Sequence, residues 1–226
     1  MTTYLITGVY RGIGFELAKQ AIANGDKVVG SVRQQDHGDA VSKQLGSDFT
    51  PLIFDVTDAS AVAQAAKLFD GAIDVLINNA GIIGPQIQSP LAMDFEGFAQ
   101  TLAINTLAPL TVSQAFLPHL KKSANPRIIS ISSKMGSMAH QTSDRIAYRA
   151  SKAALNKVMQ GLATDLRGEG VTVISMHPGW VRTDMGGGSA DISPAESAAG
   201  ILKVASALGI TKTGCFINYD GSRIDW

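Results

Sequence analysis

The stretch TYLITGVYRGIG, residues 3–14, joins a short apolar run to a glycine-rich turn and decides the fold class. Residues 3–7 are apolar enough for a strand buried on both faces, which is typical of parallel sheets. Gly8, Gly12 and Gly14 follow, where helical periodicity begins. Glycines at such a junction let backbone amides approach a phosphate, whose charge the helix N-terminus favours. The stretch therefore predicts a phosphate-binding strand–turn–helix unit, with an ordinary tight turn as the alternative.

The same alternation of short β-branched runs and longer helical stretches continues along the chain. The predicted strands are 3–7, 27–32, 50–54, 73–78, 127–132, 171–176 and 214–218. The predicted helices are 13–24, 58–69, 94–122, 145–168 and 194–208, with a weaker helix at 36–46. This order predicts an α/β, doubly wound fold: a seven-stranded parallel sheet with helices on both faces, in one domain spanning 1–226.

Composition limits the function classes. The 226 residues are 45% hydrophobic and 17% charged, and the 19 basic residues balance the 19 acidic ones, so we expect no nucleic-acid or membrane partner. The single cysteine, Cys215, excludes an internal disulfide, and four scattered histidines, His140 and His177 among them, predict no metal site. The start lacks a signal-peptide pattern and no apolar run could span a bilayer, which predicts a cytoplasmic protein.

Two arginines predict the cofactor. An acidic residue after the second strand would hold the ribose 2′-hydroxyl of NADH, whereas a basic residue suits the 2′-phosphate of NADPH. The second strand here is followed by Arg33, and Arg11 lies within the glycine-rich turn. Two guanidinium groups could grip one phosphate with charge-assisted hydrogen bonds. We therefore predict NADP(H), unless both arginines are merely solvated.

Polar and small residues follow the third and fourth strands, where an open sheet binds its ligands. Asp55 could accept a hydrogen bond from an adenine amino group, and Val56 could supply a backbone contact. Asn79, Ala80 and Gly81 form a turn suited to touching the cofactor and bracing the sheet. A plain Asn/Gly turn is the alternative for this last segment.

YRASK, residues 148–152, places Tyr148 one helical turn before Lys152, on the same face. A tyrosine hydroxyl titrates near ~10, so bringing it to about 7 requires ~4 kcal/mol. An ammonium about 4 Å away supplies roughly that much at an effective dielectric of about 20. The pair is a candidate acid/base device. The alternative is a packed tyrosine beside a solvated lysine.

Together, TGVYRGIG, DV, NNAG, YRASK and PGWVRT occur in an order that resembles the short-chain dehydrogenase/reductase family. YRASKAALN, PGWVRTDMGG and the closing DGSRIDW are most similar to its C-factor and sniffer branch. The resemblance implies a Rossmann sheet and a catalytic set that falls on Asn105, Ser133, Tyr148 and Lys152. Ser132 is the rival serine, but the residues after Ser133 match the family pattern better.

The resemblance also implies each residue's task. Tyr148 would protonate the substrate oxygen, Ser133 would orient it, Lys152 would lower the Tyr148 pKa and bind the nicotinamide ribose, and Asn105 would hold a water. The implied reaction is NADPH-dependent reduction of an aldehyde or ketone to an alcohol. A dinucleotide-binding signalling protein is the alternative. The implied cofactor contacts are Gly8, Tyr10, Arg11, Gly12, Ile13, Gly14, Arg33, Asp55, Val56, Asn79, Ala80, Gly81, Tyr148, Lys152, Pro178, Gly179, Val181 and Thr183.

Two segments bear on the substrate. Residues 183–195 are too short for a long helical lid, so we expect an open, mobile pocket. The linker between Ser133 and Tyr148 is slightly longer than is usual in the family and should alter a loop at the pocket. The expected apolar walls are Ile82, Gly84, Met135, Trp180 and Met185.

An apolar stripe on the helix at 145–168 resembles the faces through which family members associate. It comprises Ala153, Ala154, Leu155, Val158, Met159 and Leu162. It predicts a homodimer or homotetramer, unless the stripe packs wholly on its own sheet.

Overall fold

Strands and helices alternate through the computed structural model, which describes residues 1–226. The strands of the main sheet are β1 (Thr3–Thr7), β2 (Lys27–Val32), β3 (Phe49–Ile53), β4 (Val75–Asn78), β7 (Arg127–Ile131), β8 (Thr172–His177) and β9 (Phe216–Asn218). A short hairpin consists of β5 (Gln88–Ser89) and β6 (Ala92–Met93). The helices are α1 (Gly12–Ala23), α2 (Gln35–Leu45), α3 (Ala59–Leu68), α4 (Phe95–Leu102), α5 (Ala108–Leu120), α6 (Ile146–Leu166) and α7 (Pro194–Ala207).

The seven strands of the main sheet are all parallel, in the spatial order β3-β2-β1-β4-β7-β8-β9. From β1 the chain builds outward to β2 and β3, then crosses to β4 on the other side and continues to β9. In open parallel sheets, ligands bind where the strand order reverses, beyond the carboxyl ends of the strands. Here that point lies between β1 and β4. The predicted fold class is confirmed, and every predicted strand and helix start has its counterpart within a few residues.

The sheet carries an apolar core on each face, which explains its continuously apolar strands. Leu5 and Ile6 are consecutive in β1 and both fully buried, yet they belong to different clusters. Ile6 packs with residues of α1 and α7, and Leu5 packs with residues of α3, α5 and α6. Side chains alternate between the faces of a strand, so a strand covered on both sides must be apolar at successive positions.

The prediction of one continuous α-helix at 94–122 is wrong in the middle of that range. Residues Ala103–Leu107 form a π-helical turn between α4 and α5. Asn105, in that turn, is fully buried, and both polar atoms of its amide bond to the backbone of Ile82. The π-helical turn thus coincides with a contact between residues 23 positions apart in the sequence. The hydrophobic periodicity of residues 94–122 carries no information about such a contact. Pro109 lies just after the π-helical turn, and because proline has no backbone N–H it donates no hydrogen bond to that turn.

The apolar stripe on α6 packs mainly on its own sheet. Leu155 and Met159 are each 1% exposed within the core, and Val158 and Leu162 pack against the same cluster. The large side chains of the stripe therefore pack on the protein's own sheet, as the alternative to an association surface predicted. The homodimer or homotetramer remains a prediction, without this support. None of the helices combines the length and apolar character required to cross a bilayer.

Candidate active site

A cleft of about 490 Å³ lies at the carboxyl ends of the strands, beside the switch between β1 and β4. Its size is within the range usual for small-molecule sites. Its lining combines the glycine-rich turn, the ends of β2, β3 and β4, the start of α6 and the segment after β8. The lining residues are Gly8, Tyr10, Arg11, Gly12, Ile13, Ser31, Val32, Arg33, His37, Phe54, Asp55, Val56, Asn79, Ala80, Gly81, Ile82, Ile104, Ile131, Ser132, Tyr148, Lys152, Pro178, Thr183, Asp184 and Met185.

The glycine-rich turn presents backbone amides to this cleft. Gly8 and Gly12 have φ values of 72° and 61°, in the left-handed region that favours glycine. Arg11 precedes α1 in extended conformation and makes no side-chain capping hydrogen bond. The first amides of α1 therefore have no side-chain acceptor, and Gly12 and Ile13 line the cleft. A helix N-terminus of this kind can bind an anion such as a pyrophosphate.

Gly14 serves packing, although the resemblance places it among the cofactor contacts. It does not line the cleft. A β-carbon on Gly14 would lie 2.3 Å from Gly8 O and 2.5 Å from Asn79 Nδ2. Its lack of a side chain thus lets α1 approach the ends of β1 and β4.

Asn79 braces the two strands that border the switch point. Its Nδ2 donates to Thr7 O at 2.9 Å and to Gly8 O at 3.2 Å. In return, Thr7 Oγ1 accepts from the backbone amides of Asn79 and Ala80, both at 3.0 Å. The expected bracing turn after β4 is therefore present, with Asn79, Ala80 and Gly81 all at the cleft.

Cationic and aromatic groups surround the β2 end of the cleft. Arg33 lies near Asp55, whose pKa is lowered mainly by hydrogen bonds from Thr57 and further by the Arg33 charge. Arg11, however, forms an ion pair with Asp184 of the segment after β8. Of the two predicted phosphate-binding arginines, Arg33 alone makes no ion pair in the structure. Sequence reasoning did not anticipate this link between the glycine-rich turn and the predicted substrate segment.

The ring of Tyr10 stacks on the imidazole of His37, with centroids 3.7 Å apart and planes 15° apart. His37 lies in the first turn of α2 and, like Tyr10, lines the cleft. His37 is not among the site residues predicted from the sequence. Its position four residues after Arg33, at a helix start, was the available signal.

Tyr148 lies in the first turn of α6 and is 8% exposed. Burial raises the pKa of its hydroxyl above the ordinary value, while the neighbouring Ser133 side chain and the charge of Arg145 act in the opposite direction. We predicted a pKa lowered by Lys152. The net direction in the structure is the reverse, because desolvation of the phenolate outweighs the neighbouring charges. The phenol is therefore protonated at neutral pH.

Lys152 lies beside Tyr148 but engages the sheet. Its Nζ is 5.8 Å from the centroid of the Tyr148 ring and donates to Ile131 O at 2.8 Å. Burial lowers the pKa of this ammonium to about 8. Desolvation penalises the charged amine, so Lys152 exchanges a proton much closer to neutral pH than an exposed lysine does.

The structure separates the two candidate serines. Ser132 Oγ donates to Asn156 Oδ1 of α6 at 2.6 Å, so its hydroxyl is engaged although the residue borders the cleft. Ser133 is 6% exposed, and its Oγ accepts from the Met135 amide at 3.1 Å. The Ser133 side chain lies near enough to Tyr148 to lower the pKa of the phenol. The longer linker between Ser133 and Tyr148 does not separate them.

Asn105 stands behind the cleft wall. Its Oδ1 accepts from the Ile82 amide at 2.9 Å, and its Nδ2 donates to Ile82 O at 2.8 Å and Ser151 Oγ at 3.0 Å. A β-carbon on Gly81 would lie 3.1 Å from Asn105 Oδ1 and 3.6 Å from Lys152 Nζ. The bare backbone of Gly81 thus lies close to both polar groups, so Asn105 and Lys152 share one corner of the site.

The cleft contains fifteen of the cofactor contacts that the resemblance implies and omits Gly14, Gly179 and Val181. Gly179 instead forms a turn with φ 87°, packed against Ile192 and Tyr219, and Val181 pairs with Ile192. Of the expected substrate walls, Ile82 and Met185 line the cleft, and Gly84, Met135 and Trp180 do not. Residues 183–193 contain no helix, in agreement with the absence of a long lid. The acidic, histidine and cysteine side chains form no cluster able to hold a metal ion.

Comparison with known proteins matches the chain to the family model described as short chain dehydrogenase over residues 2–193. The chain is 42% identical over 166 residues to C-signal of Myxococcus xanthus, covering 73% of this chain and 99% of that protein.

Solved structures with the same fold cover the whole chain. The carbonyl reductase Sniffer of D. melanogaster superposes with a TM-score of 0.91 at 33% identity, covering 100% of both chains. An NADPH-bound carbonyl reductase from chicken fatty liver gives 0.90 at 33% identity, covering 100% of this chain and 99% of that one. A dehydrogenase/reductase from Burkholderia multivorans with bound NADP gives 0.89 at 30% identity, covering 100% and 99%.

Proposed function

The chain belongs to the short-chain dehydrogenase/reductase family, and we propose that it is an oxidoreductase that uses NADPH to reduce an aldehyde or ketone to an alcohol. The observation that carries this proposal is that Tyr148 and Lys152 lie together at the wall of a dinucleotide-sized cleft, with the phenol buried and the Ser133 side chain nearby. The Sniffer and chicken liver structures, both titled carbonyl reductases, support the same reaction class.

The residues around the cleft fit a dinucleotide phosphate. The amides at the start of α1, which lack a side-chain cap, would hold the pyrophosphate. Arg33 would hold the 2′-phosphate with charge-assisted hydrogen bonds, because it follows β2 and makes no ion pair. Asp55, kept ionised by Thr57, would accept from the adenine amino group. Bound NADPH would supply the hydride that reduces the carbonyl carbon.

The proposed proton donor is the Tyr148 hydroxyl. A reduction requires a protonated donor at working pH, and burial keeps the phenol in that form. The proton passes from the phenol oxygen to the carbonyl oxygen, and the O–H bond of the product alcohol forms as that of Tyr148 breaks. Ser133 would donate a hydrogen bond to the same carbonyl oxygen and stabilise its developing negative charge.

Lys152 and Asn105 would restore the proton. Once the phenol has given up its proton, Lys152 can replace it, because an ammonium with a pKa of about 8 releases a proton readily near neutrality. Its positive charge would also stabilise the transient phenolate. Asn105, held by Ile82 and Ser151, would fix a water that returns a proton to Lys152.

The substrate would be an apolar carbonyl compound, because Ile82 and Met185 line the cleft and the segment after β8 contains no helix that could cover it. The experiment that tests the proposal is a panel of aldehydes, ketones and alcohols assayed at 340 nm with NADPH or NADP⁺. Turnover of at least one carbonyl compound, abolished by Tyr148→Phe, supports the proposal. A purified, folded protein that binds NADPH and turns over none of the panel contradicts it.

A second candidate function is signalling, favoured by the 42% identity to C-signal. In that case the chain would bind a dinucleotide and act through another molecule, with little turnover. Tyr148→Phe separates the two functions: a signalling protein would keep its biological activity in that variant, whereas a reductase would lose it.

A further inference from the structure

Gln88, at the start of β5, is buried next to the proposed catalytic tyrosine. It is 7% exposed, whereas Gln86 and Ile87 before it and Ser89 after it are exposed. Burial of an amide is unfavourable unless its polar atoms find partners. The other residues of the hairpin are exposed or half-buried, so this one buried amide must have hydrogen-bond partners inside the protein.

Both ends of the Gln88 amide are satisfied. Its Nε2 donates to Ile83 O at 3.1 Å and to Pro85 O at 2.6 Å. Its Oε1 accepts from the backbone amide of Tyr148 at 3.1 Å. Carbonyl oxygens only accept and a backbone N–H only donates, so these partners fix which end of the side chain faces which segment.

The bond to Tyr148 replaces a missing helix cap. The first amides of a helix lack intrahelical partners, and an N-cap side-chain oxygen usually accepts from the amide of the second or third residue. Arg145 precedes α6 in left-handed conformation, with φ 51°, and makes no such bond, since arginine has no acceptor. Tyr148 is the third residue of α6. Gln88 therefore supplies the acceptor from 60 positions away in the sequence.

The other end of Gln88 holds a wall of the cleft. Ile83 and Pro85 belong to the loop that follows β4, and Ile82 of the same loop lines the cleft and is held by Asn105. Gly84 of this loop has φ 88°, in the left-handed region that favours glycine, and a β-carbon there would lie 2.8 Å from Thr101 Oγ1. One side chain thus ties the cleft wall to the turn that carries the phenol.

We propose that Gln88 is a positioning residue for Tyr148, fixing the first turn of α6 relative to the cleft wall so that the phenol hydroxyl stays aligned with Ser133 and the substrate oxygen. The inference rests on the proposed function, in which Tyr148 is the proton donor. Proton transfer and hydride transfer at one carbonyl need close alignment, and a displacement of about 1 Å costs on the order of 10²-fold in rate.

The test is Gln88→Met, which keeps the side-chain length and removes both polar atoms, with Gln86→Met as the exposed control in the same loop. We expect Gln88→Met to lower kcat by about 10- to 100-fold, with the NADPH dissociation constant and far-UV circular dichroism unchanged. Gln86→Met should behave like the native protein.

Two further variants separate positioning from general stability. Gln88→Glu keeps an acceptor for the Tyr148 amide but loses the donor to Ile83 O and Pro85 O, so the link to the cleft wall is broken and kcat should fall as it does in Gln88→Met. The double variant Gln88→Met/Tyr148→Phe should be no slower than Tyr148→Phe alone, since a residue that acts through another adds nothing once the other is gone.

Native kcat in a folded Gln88→Met protein would overturn the inference. So would native kcat in Gln88→Glu, or a loss in Gln88→Met that adds to the loss in Tyr148→Phe. If Gln88→Met is too unstable to purify, Gln88→Asn replaces it: its amide is one methylene too short for both segments, and native kcat there counts against the inference. Full activity of Tyr148→Phe would instead overturn the proposed function, whatever Gln88 does.

Discussion

The Lys152 ammonium lies 5.8 Å from the centre of the Tyr148 ring and donates its hydrogen bond to Ile131 O. The ammonium is therefore hydrogen-bonded to the sheet while it lies over the Tyr148 ring. Its burial lowers its own pKa to about 8, and burial of the phenol raises the pKa of Tyr148. The pair thus has a protonated acid and a lysine that exchanges protons near neutrality.

Lys152 should make stability depend on pH. Its pKa is about 8 in the folded protein and 10.5 ordinarily, so between these values the unfolded chain binds more protons at this site. The free energy of unfolding therefore rises with pH in this window, by up to about 3 kcal/mol. Lys152→Met should lack this rise, as measured by urea unfolding from pH 7 to 10.

Lys157→Met, at an exposed position of the same helix, is the control and should keep the native slope. If the stability of Lys152→Met depended on pH as that of the native protein does, burial would not lower the pKa of Lys152.

Arg33 should determine the preference for NADPH. Arg33→Ala removes the proposed charge-assisted hydrogen bonds to the 2′-phosphate, each worth roughly 1.5–3 kcal/mol. We expect the NADPH dissociation constant to rise by about 10- to 100-fold, with that of NADH unchanged. Titration of intrinsic fluorescence measures both constants, with exposed Arg223→Ala as control. An equal loss for both cofactors would show that Arg33 does not contact the 2′-phosphate.

Of the two adjacent serines, Ser133 should affect turnover and Ser132 should affect stability. Ser133→Ala removes a donor to the substrate oxygen and should lower kcat by about 10²-fold or more. It also removes a group that lowers the Tyr148 pKa, so that pKa rises further.

Ser132→Ala should leave kcat unchanged and cost about 1–3 kcal/mol of stability, because Asn156 Oδ1 loses its buried donor. Steady-state kinetics from pH 6 to 10 and urea unfolding distinguish the two variants. Loss of turnover in Ser132→Ala with native rates in Ser133→Ala would reverse the assignment.

Features set by local pattern were predictable from the sequence. The apolar runs gave the seven strands, because strands covered on both faces are apolar at successive positions. The glycine spacing predicted a tight turn at Gly8 and Gly12, and both residues have the positive φ values that such a turn requires. The position of Arg33 after β2 placed it at the cleft.

Features set by contacts between distant segments were not predictable. The π-helical turn accompanies the bonds from Asn105 to Ile82, and the cap of α6 comes from Gln88, far away in the chain. The direction of the Tyr148 pKa depends on how deeply the phenol is buried, which the spacing to Lys152 does not specify. Arg11 was expected at the phosphate, but its pairing with Asp184 depends on where the segment after β8 folds.

The central claim is that Tyr148 donates the proton in carbonyl reduction, and Tyr148→Phe tests it most directly. The phenylalanine keeps the ring that packs in the first turn of α6 and removes only the hydroxyl. With a carbonyl substrate found in the panel, we expect NADPH to bind with native affinity and kcat to fall by about 10²- to 10⁴-fold. Native kcat in this variant would contradict the account.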